Sequence, residues 1–419
     1  MKQDWLASFD SLMKVCGDGA FSNIAIKESL SRFREASHGF VQSMVKGTIR
    51  NQILLDYKIN GLARRGIKGI KARPLIILRM AIFAIDMMDS VPDYAAVNEA
   101  VMLSKKVCRG ASGFINGVLR GYIRDIKEEK IDTDLTPSLK YSFPENLYAL
   151  LKNQYGEEVI GLMEALNEPK PVCLRANSTL ITREELLKRM KDSGFDVAPD
   201  ESTRNGVIVK QGAVIRDEMF LDGLYSVQSS SSLEAVEKFS PTSGARVIDL
   251  CAAPGGKSVA MAEMMDNEGE IISCDIHAHK VTLIEKNASR AQVNIIEAKL
   301  ADARVFDEDA KEAFDYVLAD VPCSGLGVIP NKPEIKYRVD TENLKELNDI
   351  QAEILTNAIE YARQGGLVMY STCTINKNEN EELVKKVLRS REKLEMLESK
   401  TILPYNDKIG FYYCIIRKL

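Results

Sequence analysis

Two cysteines sit in short motifs of small and polar residues: Asp320-Val-Pro-Cys323-Ser-Gly325 and Ser371-Thr-Cys373-Thr374. Each follows an apolar run, at 316–320 and 366–371, that reads as a β-strand. Two thiols at the ends of neighbouring strands are equipped for covalent chemistry; packing as inert small side chains is the plainer alternative. A thiolate that adds to C6 of a pyrimidine makes C5 enamine-like, able to attack an electrophilic methyl group. A proton must then leave C5 so that the thiol can be eliminated. An acid near N3 stabilises the charge that develops there. Such chemistry asks for one nucleophilic cysteine, one acid and one group that assists release. The residue types alone leave open which cysteine attacks.

A third motif, Asp249-Leu-Cys251-Ala252-Ala253-Pro254-Gly255-Gly256-Lys257-Ser258, follows a strand-like run at 246–250. Small residues and paired glycines let the backbone approach a ligand before a helix begins. The Gly-Lys-Ser echoes a phosphate loop. A phosphate loop needs a glycine at position 251, where this chain has cysteine. Asp275 ends the next strand-like run, the usual place for a carboxylate that holds ribose hydroxyls. Asp302 follows a run at 294–298 and is placed to accept from an adenine amino group. Asp320 ends the strand after that. Acids around a glycine loop would repel a pyrophosphate and suit a cationic nucleoside such as S-adenosylmethionine.

The elements that must position these residues follow from periodicity. From about 244 onward, strand-like runs alternate with helical ones, the pattern of a mostly parallel, doubly wound sheet. Ligands in such sheets bind at the C-terminal strand ends, where all of these motifs fall. Residues 1 to about 130 have apolar residues at three- and four-residue spacing and read as helical. A charged stretch at 127–134 reads as a linker. Between about 139 and 225, helical segments (145–155, 157–166, 183–193) alternate with short strands (172–175, 206–209). The division expected is 1–132, 139–225 and 226–419.

With 419 residues, 45% of them apolar and 28% charged, the chain can bury ordinary cores. No run reaches the ~18 consecutive apolar residues of a membrane span, and the N-terminus lacks the pattern of a signal peptide. Both point to a cytoplasmic protein with no membrane partner. The eight cysteines form no CxxC pair, and with three histidines they give no reason to invoke a metal. The net charge of −4 hides an asymmetry: residues 1–130 hold 21 Lys and Arg against 13 Asp and Glu. A basic third suits a polyanion such as nucleic acid, or is simply a solvated surface. Its sharpest cluster is Arg64-Arg65-Gly-Ile-Lys68-Gly-Ile-Lys71-Ala-Arg73, read as a loop.

With these motifs in place the sequence resembles the RNA 5-methylcytosine methyltransferases, specifically the RsmB (Sun/Fmu) type that modifies small-subunit ribosomal RNA. Residues 249–257, 320–325 and 371–374 carry the resemblance, with Glu379-Asn380 and Gly410-Phe-Tyr412. Segments 40–51, 78–79, 91–100 and 113–120 look like the NusB-like helical domain of that type. Phe143-Pro-Glu145 and Leu174-Arg-Ala-Asn177 match its middle region. The resemblance implies three parts: an all-α NusB-like N-terminal domain, a small α/β RNA-binding middle domain and a C-terminal Rossmann-like class I methyltransferase domain. It implies methyl transfer from S-adenosylmethionine to C5 of a specific cytosine in 16S ribosomal RNA, through a Cys–C6 adduct, by a monomer. It assigns Cys373 as the nucleophile, Cys323 as the cysteine that assists release, and Asp320 as the acid at N3 and the base edge. Residues 251–257, Asp275, Asp302 and Asp320 would surround the cofactor. The chain departs from the pattern at Ser229, Leu233 and Asn331. Two rivals remain: a silent RNA-binding factor, and a methyltransferase of transfer RNA.

Overall fold

The computed structural model describes residues 2–130, 134–211, 217–389 and 391–419. Residues 131–133, within the expected linker, lie outside the described residues. The chain forms two compact units, Met1–Asn167 with Ile329–Val339, and Glu168–Val328 with Asp340–Leu419.

The first unit is helical: α1 (Gln3–Gly17), α2 (Ser22–Arg32), α3 (His38–Arg50), α4 (Gln52–Leu62), α5 (Ala72–Met87), α6 (Asp93–Val107), α7 (Ser112–Lys127), α8 (Pro137–Lys140), α9 (Glu145–Tyr155) and α10 (Val159–Asn167). The apolar run 75–88 becomes α5. Ile76 to Ala84 on this helix are all buried, which makes it the central element of the core. Pro92 precedes α6, as its fixed φ and missing N–H favour at a helix start. The basic cluster spans the connection from α4 to α5, and Arg64, Arg65, Lys68, Lys71 and Arg73 are all exposed. Residues 329–339 belong to this unit although they lie far along the chain. Lys336 is buried there, its ammonium donating to Arg50 O at 2.7 Å and Asn167 Oδ1 at 3.0 Å. Burial, helped by Arg50, holds that ammonium well below the usual lysine range. Tyr337 donates to Ile49 O at 2.9 Å and Arg338 to Ala20 O at 2.6 Å.

The second unit contains two sheets. A four-stranded antiparallel sheet has the order β2-β3-β1-β4, from β1 (Val172–Ala176), β2 (Asp196–Pro199), β3 (Gly206–Gln211) and β4 (Tyr225–Val227). Helices α11 (Arg183–Asp192) and α12 (Glu218–Leu221) accompany it, with Leu174, Leu186, Val207 and Tyr225 in its core. After α13 (Ser230–Phe239) come β5 (Arg246–Asp249), α14 (Gly256–Met264), β6 (Glu270–Asp275), α15 (Ala278–Arg290) and β7 (Ile296–Leu300). Then follow β8 (Phe314–Asp320), α16 (Leu344–Tyr361), β9 (Ala362–Thr372), α17 (Glu381–Arg389), β10 (Leu394–Ile402) and β11 (Phe411–Lys418).

These last strands form one seven-stranded sheet, β10-β11-β9-β8-β5-β6-β7. The five from β7 to β9 are parallel; the centres of β5, β6, β8 and β9 are largely apolar and buried, whereas the edge strand β7 carries Glu297 and Lys299. Ile248, Val317 and Val368 face one core; Val247, Leu318 and Met369 face the other. The expected strands are present, and the sheet is mixed: β11 and β10 add an antiparallel edge. The strand order reverses between β5 and β8. The loops that leave their C-terminal ends diverge there, which opens the crevice where ligands of such sheets bind.

Candidate active site

The loop after β5 is built from its main chain. Ala252 N–H donates to Cys274 O at 2.8 Å, tying the loop to β6. Asn287 on α15 donates to Pro254 O at 2.7 Å. Gly255 has φ of 99°, and a Cβ there would lie 3.2 Å from Ile284 Cα, so only glycine fits without strain. Helix α14 begins directly after it, with its first N–H groups turned to the crevice end of the sheet.

Asp249 is buried at the end of β5 and accepts the Ser258 hydroxyl at 2.7 Å through Oδ2. Its Oδ1 is buried and has no hydrogen-bond partner among the described residues. Burial pushes its carboxyl up to about 7 against the pull of Ser258, and the nearby Asp320 adds to the rise. Burial and the charges of Asp249, Asp320 and Asp275 push the Cys251 thiol well above its ordinary range. Asp275 is buried and accepts from His277 N–H at 3.0 Å, with Lys280 Nζ 3.8 Å away. Asp302 lies further out. Arg304 donates to both of its oxygens, at 3.0 and 2.6 Å, and holds its carboxyl below the usual range.

Strands β8 and β9 pair in parallel with Asp320 opposite Ser371, so the two cysteine motifs leave the sheet side by side. The sulfurs of Cys323 and Cys373 lie 3.2 Å apart. Asp320 accepts the Lys257 ammonium at 2.6 Å through Oδ2 and the Ser371 hydroxyl at 2.7 Å through Oδ1. Burial would lower the Lys257 ammonium, but Asp320, Asp249 and the Cys373 sulfur outweigh it and hold it above its usual range. The Cys323 thiol is pushed far up by its hydrogen bond to Cys373, by burial, and by the charges of Cys373 and Glu379.

The residues after Cys373 brace it. Asn380 accepts from Thr372 Oγ1 at 2.6 Å and donates to Thr374 O at 3.1 Å, one bond on each side of the cysteine. Gly327 N–H donates to Cys373 O at 3.0 Å, and its own carbonyl accepts from Gly410 N–H at 2.9 Å. A Cβ on Gly327 would sit 2.1 Å from Gly410 O and 2.8 Å from Cys373 O.

The structure thus brings together the glycine loop, Asp275, Asp320, Cys323 and Cys373 at one rim of the sheet. Asp302 is at the same end, but its carboxylate is engaged by Arg304. Sequence reasoning gives no site role to Ser371, Ser258, Gln351 or Glu379. Ser371, Ser258 and Glu379 lie within the motifs themselves, which is the signal that could have found them; Gln351 carries none. Arg175, from the middle region of the resemblance, is buried and pairs with Glu263 on α14 at 2.8 Å, so β1 is bonded to the helix that starts at the glycine loop.

Comparison with known proteins fits this geometry. Residues 236–416 match the family described as 16S rRNA methyltransferase RsmB/F. Residues 6–124 match the NusB family, and residues 143–216 the ferredoxin-like domain of RsmF/B-like methyltransferases. The chain is 32% identical over 442 residues to the probable ribosomal RNA small subunit methyltransferase B of Bacillus subtilis, covering 98% of each chain. It is 29% identical to the ribosomal RNA small subunit methyltransferase B of Proteus mirabilis, covering 97% of each. The crystal structure of PH0851 shares the fold with a TM-score of 0.86 at 22% identity, over 99% of this chain and 98% of that one. With a NusB domain, a ferredoxin-like domain and a methyltransferase sheet in this order, the chain belongs to the RsmB family of S-adenosylmethionine-dependent 16S rRNA cytosine methyltransferases.

Proposed function

We propose that the chain transfers a methyl group from S-adenosylmethionine to C5 of one cytosine in 16S ribosomal RNA through a covalent bond between Cys373 and C6. The observation that carries this reading is the pair of sulfurs 3.2 Å apart beside the Asp320–Lys257 pair. The cofactor fits the residues present. Asp249 Oδ1, buried without a hydrogen-bond partner among the described residues, is an acceptor suited to a cationic amino group, and Asp275 stands where a ribose is held. The glycine loop and the start of α14 complete that cradle. When bound, S-adenosylmethionine would supply an electrophilic sulfonium methyl, its sulfur keeping the electron pair of the broken S–CH3 bond as the neutral leaving group.

The thiolate of Cys373 forms a bond to C6 through Sγ, and the electron pair of the C5=C6 bond becomes available at C5. Asp320, held by Lys257 and Ser371, faces N3 and the base edge. C5 takes the methyl group. A proton then leaves C5 to solvent, the C5=C6 bond reforms and the Cys373–C6 bond breaks. We assign Cys323 as the donor in the S–H···S contact, since its hydrogen bond to Cys373, burial and the Glu379 charge disfavour its thiolate. Its S–H donates a hydrogen bond to the leaving Cys373 sulfur and assists release while the proton stays on Cys323.

The base must reach the thiol, so the cytosine is flipped out or taken from a loop. The division of labour is a helical RNA-binding part (1–132), a small RNA-binding part (139–225) and the catalytic part (226–419). All the named site residues come from one unit of one chain, which supports a monomer as the active form. A 16S RNA substrate supports a cytoplasmic location. Replacing Cys323 by alanine tests the cysteine roles. The expected result is a protein–RNA adduct that survives denaturation and carries labelled methyl. Free turnover with no adduct would contradict the assignment.

A further inference from the structure

Glu379 is a carboxylate with no solvent exposure, and a buried charge persists only when its oxygens are well satisfied. Its two oxygens take four donors, all neutral. Oε2 accepts from Ser324 N–H at 2.8 Å and from Gln351 Nε2 at 3.0 Å. Oε1 accepts from the Ser324 hydroxyl at 2.5 Å and from Asn376 Nδ2 at 2.9 Å. Ser324 follows Cys323, and Asn376 stands three residues after Cys373. Gln351, on α16, also donates to Pro322 O at 2.9 Å, just before Cys323. The Ser324 and Thr374 hydroxyls meet at 2.8 Å and close the frame. One carboxylate therefore joins the loop after β8, the loop after β9 and the helix between them.

We propose that Glu379 is a positioning residue for methyl transfer: it clamps the Cys323 loop to the Cys373 loop and, by its charge, keeps Cys323 as the hydrogen-bond donor of the pair. This rests on the reading that Cys373 attacks and Cys323 assists. The two thiols are chemically alike and touch each other, so something must make them unequal. Cys373 is in electrostatic contact with the Lys257 ammonium. Cys323 faces the opposite field. The groups around it are the Cys373 sulfur, the Glu379 carboxylate and the Tyr370 phenol, with the Gly325 N–H donating to it. A thiolate at Cys323 would stand between two anions in a buried place. A thiol there can donate to Cys373 at rest and again when that sulfur leaves the base.

Glu379→Gln keeps an acceptor for Ser324 N–H and removes the charge; Glu379→Ala removes the clamp as well. The charge is read without methyl transfer. In chains carrying Cys373→Ser, iodoacetamide alkylation of Cys323 is followed against pH by mass spectrometry of its tryptic peptide. Adding Glu379→Gln is expected to move the midpoint to lower pH. The positioning is read with Cys373 intact. Glu379→Gln is expected to lower kcat about 100-fold and to leave KM for S-adenosylmethionine within about twofold, as misplaced reacting groups do. An unmoved midpoint, or a kcat close to wild type, overturns the proposal. Should the Gln variant fail to fold, Ser324→Ala removes the hydroxyl that bonds both Glu379 and Thr374 while the charge stays. A lowered kcat with an unmoved alkylation midpoint then supports the clamp, and an unchanged kcat overturns it. Because alkylation needs no turnover, a failure of the cysteine assignment, seen as full activity in Cys373→Ala, is distinguishable from a failure of the clamp.

Discussion

The proposed chemistry rests on single side chains at Cys373, Cys323 and Asp249. Cys373→Ala removes the proposed nucleophile, whose sulfur interacts electrostatically with the Lys257 ammonium, so methyl transfer should fall to background while S-adenosylmethionine still binds, as calorimetry can measure. Full activity would contradict the nucleophile assignment. Asp249 makes a pH prediction. Burial holds its carboxyl at about 7 in the folded chain, against about 4 for an ordinary aspartate. A folded value above the unfolded one favours the fold at low pH, and that contribution is lost as pH rises from about 4 to about 7. Asp249→Asn should therefore flatten the pH dependence of the unfolding free energy across this window in the ligand-free chain, by up to a few kcal/mol in chemical denaturation. Identical pH profiles for the two chains would show that Asp249 does not titrate in this way. The cysteines were legible in the sequence because each sits in a short motif behind an apolar strand. Their 3.2 Å separation was not, since it arises only when β8 and β9 pair. Glu379 was visible as part of the resemblance, but its role was not: a carboxylate reads as surface until its four neutral donors are assembled around it.

Among the elements, the parallel strands were legible because strands covered on both faces appear as unbroken apolar runs. The antiparallel edge was not. Residues 392–400 (Glu-Lys-Leu-Glu-Met-Leu-Glu-Ser-Lys) mix charged and apolar side chains without strict alternation, and β10 lies largely exposed at the edge, where charges are tolerated and guard against pairing with another chain. The connection between β1 and α14 was also invisible, because Arg175 and Glu263 are 88 residues apart. Breaking that buried pair from one side leaves an unpaired charge, so Arg175→Ala should cost about 3–5 kcal/mol in chemical denaturation. A loss below about 1 kcal/mol would mean that the pair is not held as described. Gly327→Ala is predicted to act at the same scale. Its Cβ would collide with Gly410 O and Cys373 O, displacing both cysteine loops together. Overpacking of this kind costs about 1–3 kcal/mol, and activity should fall further than stability alone explains. Unchanged kcat in this variant would contradict the tight coupling of the two loops.

For the whole molecule, the question is how a chain with net charge −4 engages RNA. Local potential decides docking, and the first 130 residues hold the excess of Lys and Arg. The five exposed cations between Arg64 and Arg73 are the densest group. Replacing Arg64, Arg65 and Lys68 by serine should weaken RNA binding and reduce the slope of log K against log salt by ~0.7 for each phosphate that is no longer neutralised. An unchanged slope would place the RNA elsewhere. The segment Ile329–Val339 was the least legible feature at this scale. It lies between two strands of the catalytic sheet in sequence yet belongs to the helical unit, where main-chain carbonyls satisfy the buried Lys336.

Every role proposed for these residues depends on a methyl group reaching one ribosomal cytosine through Cys373. The most direct test is transfer of label from S-adenosylmethionine to protein-free 16S ribosomal RNA by wild type and Cys373→Ala, followed by mapping of the labelled base. Label at C5 of a single cytosine with wild type, and none with the variant, is the predicted result. Label that persists in the variant, or that appears only when bulk transfer RNA is supplied, would contradict it.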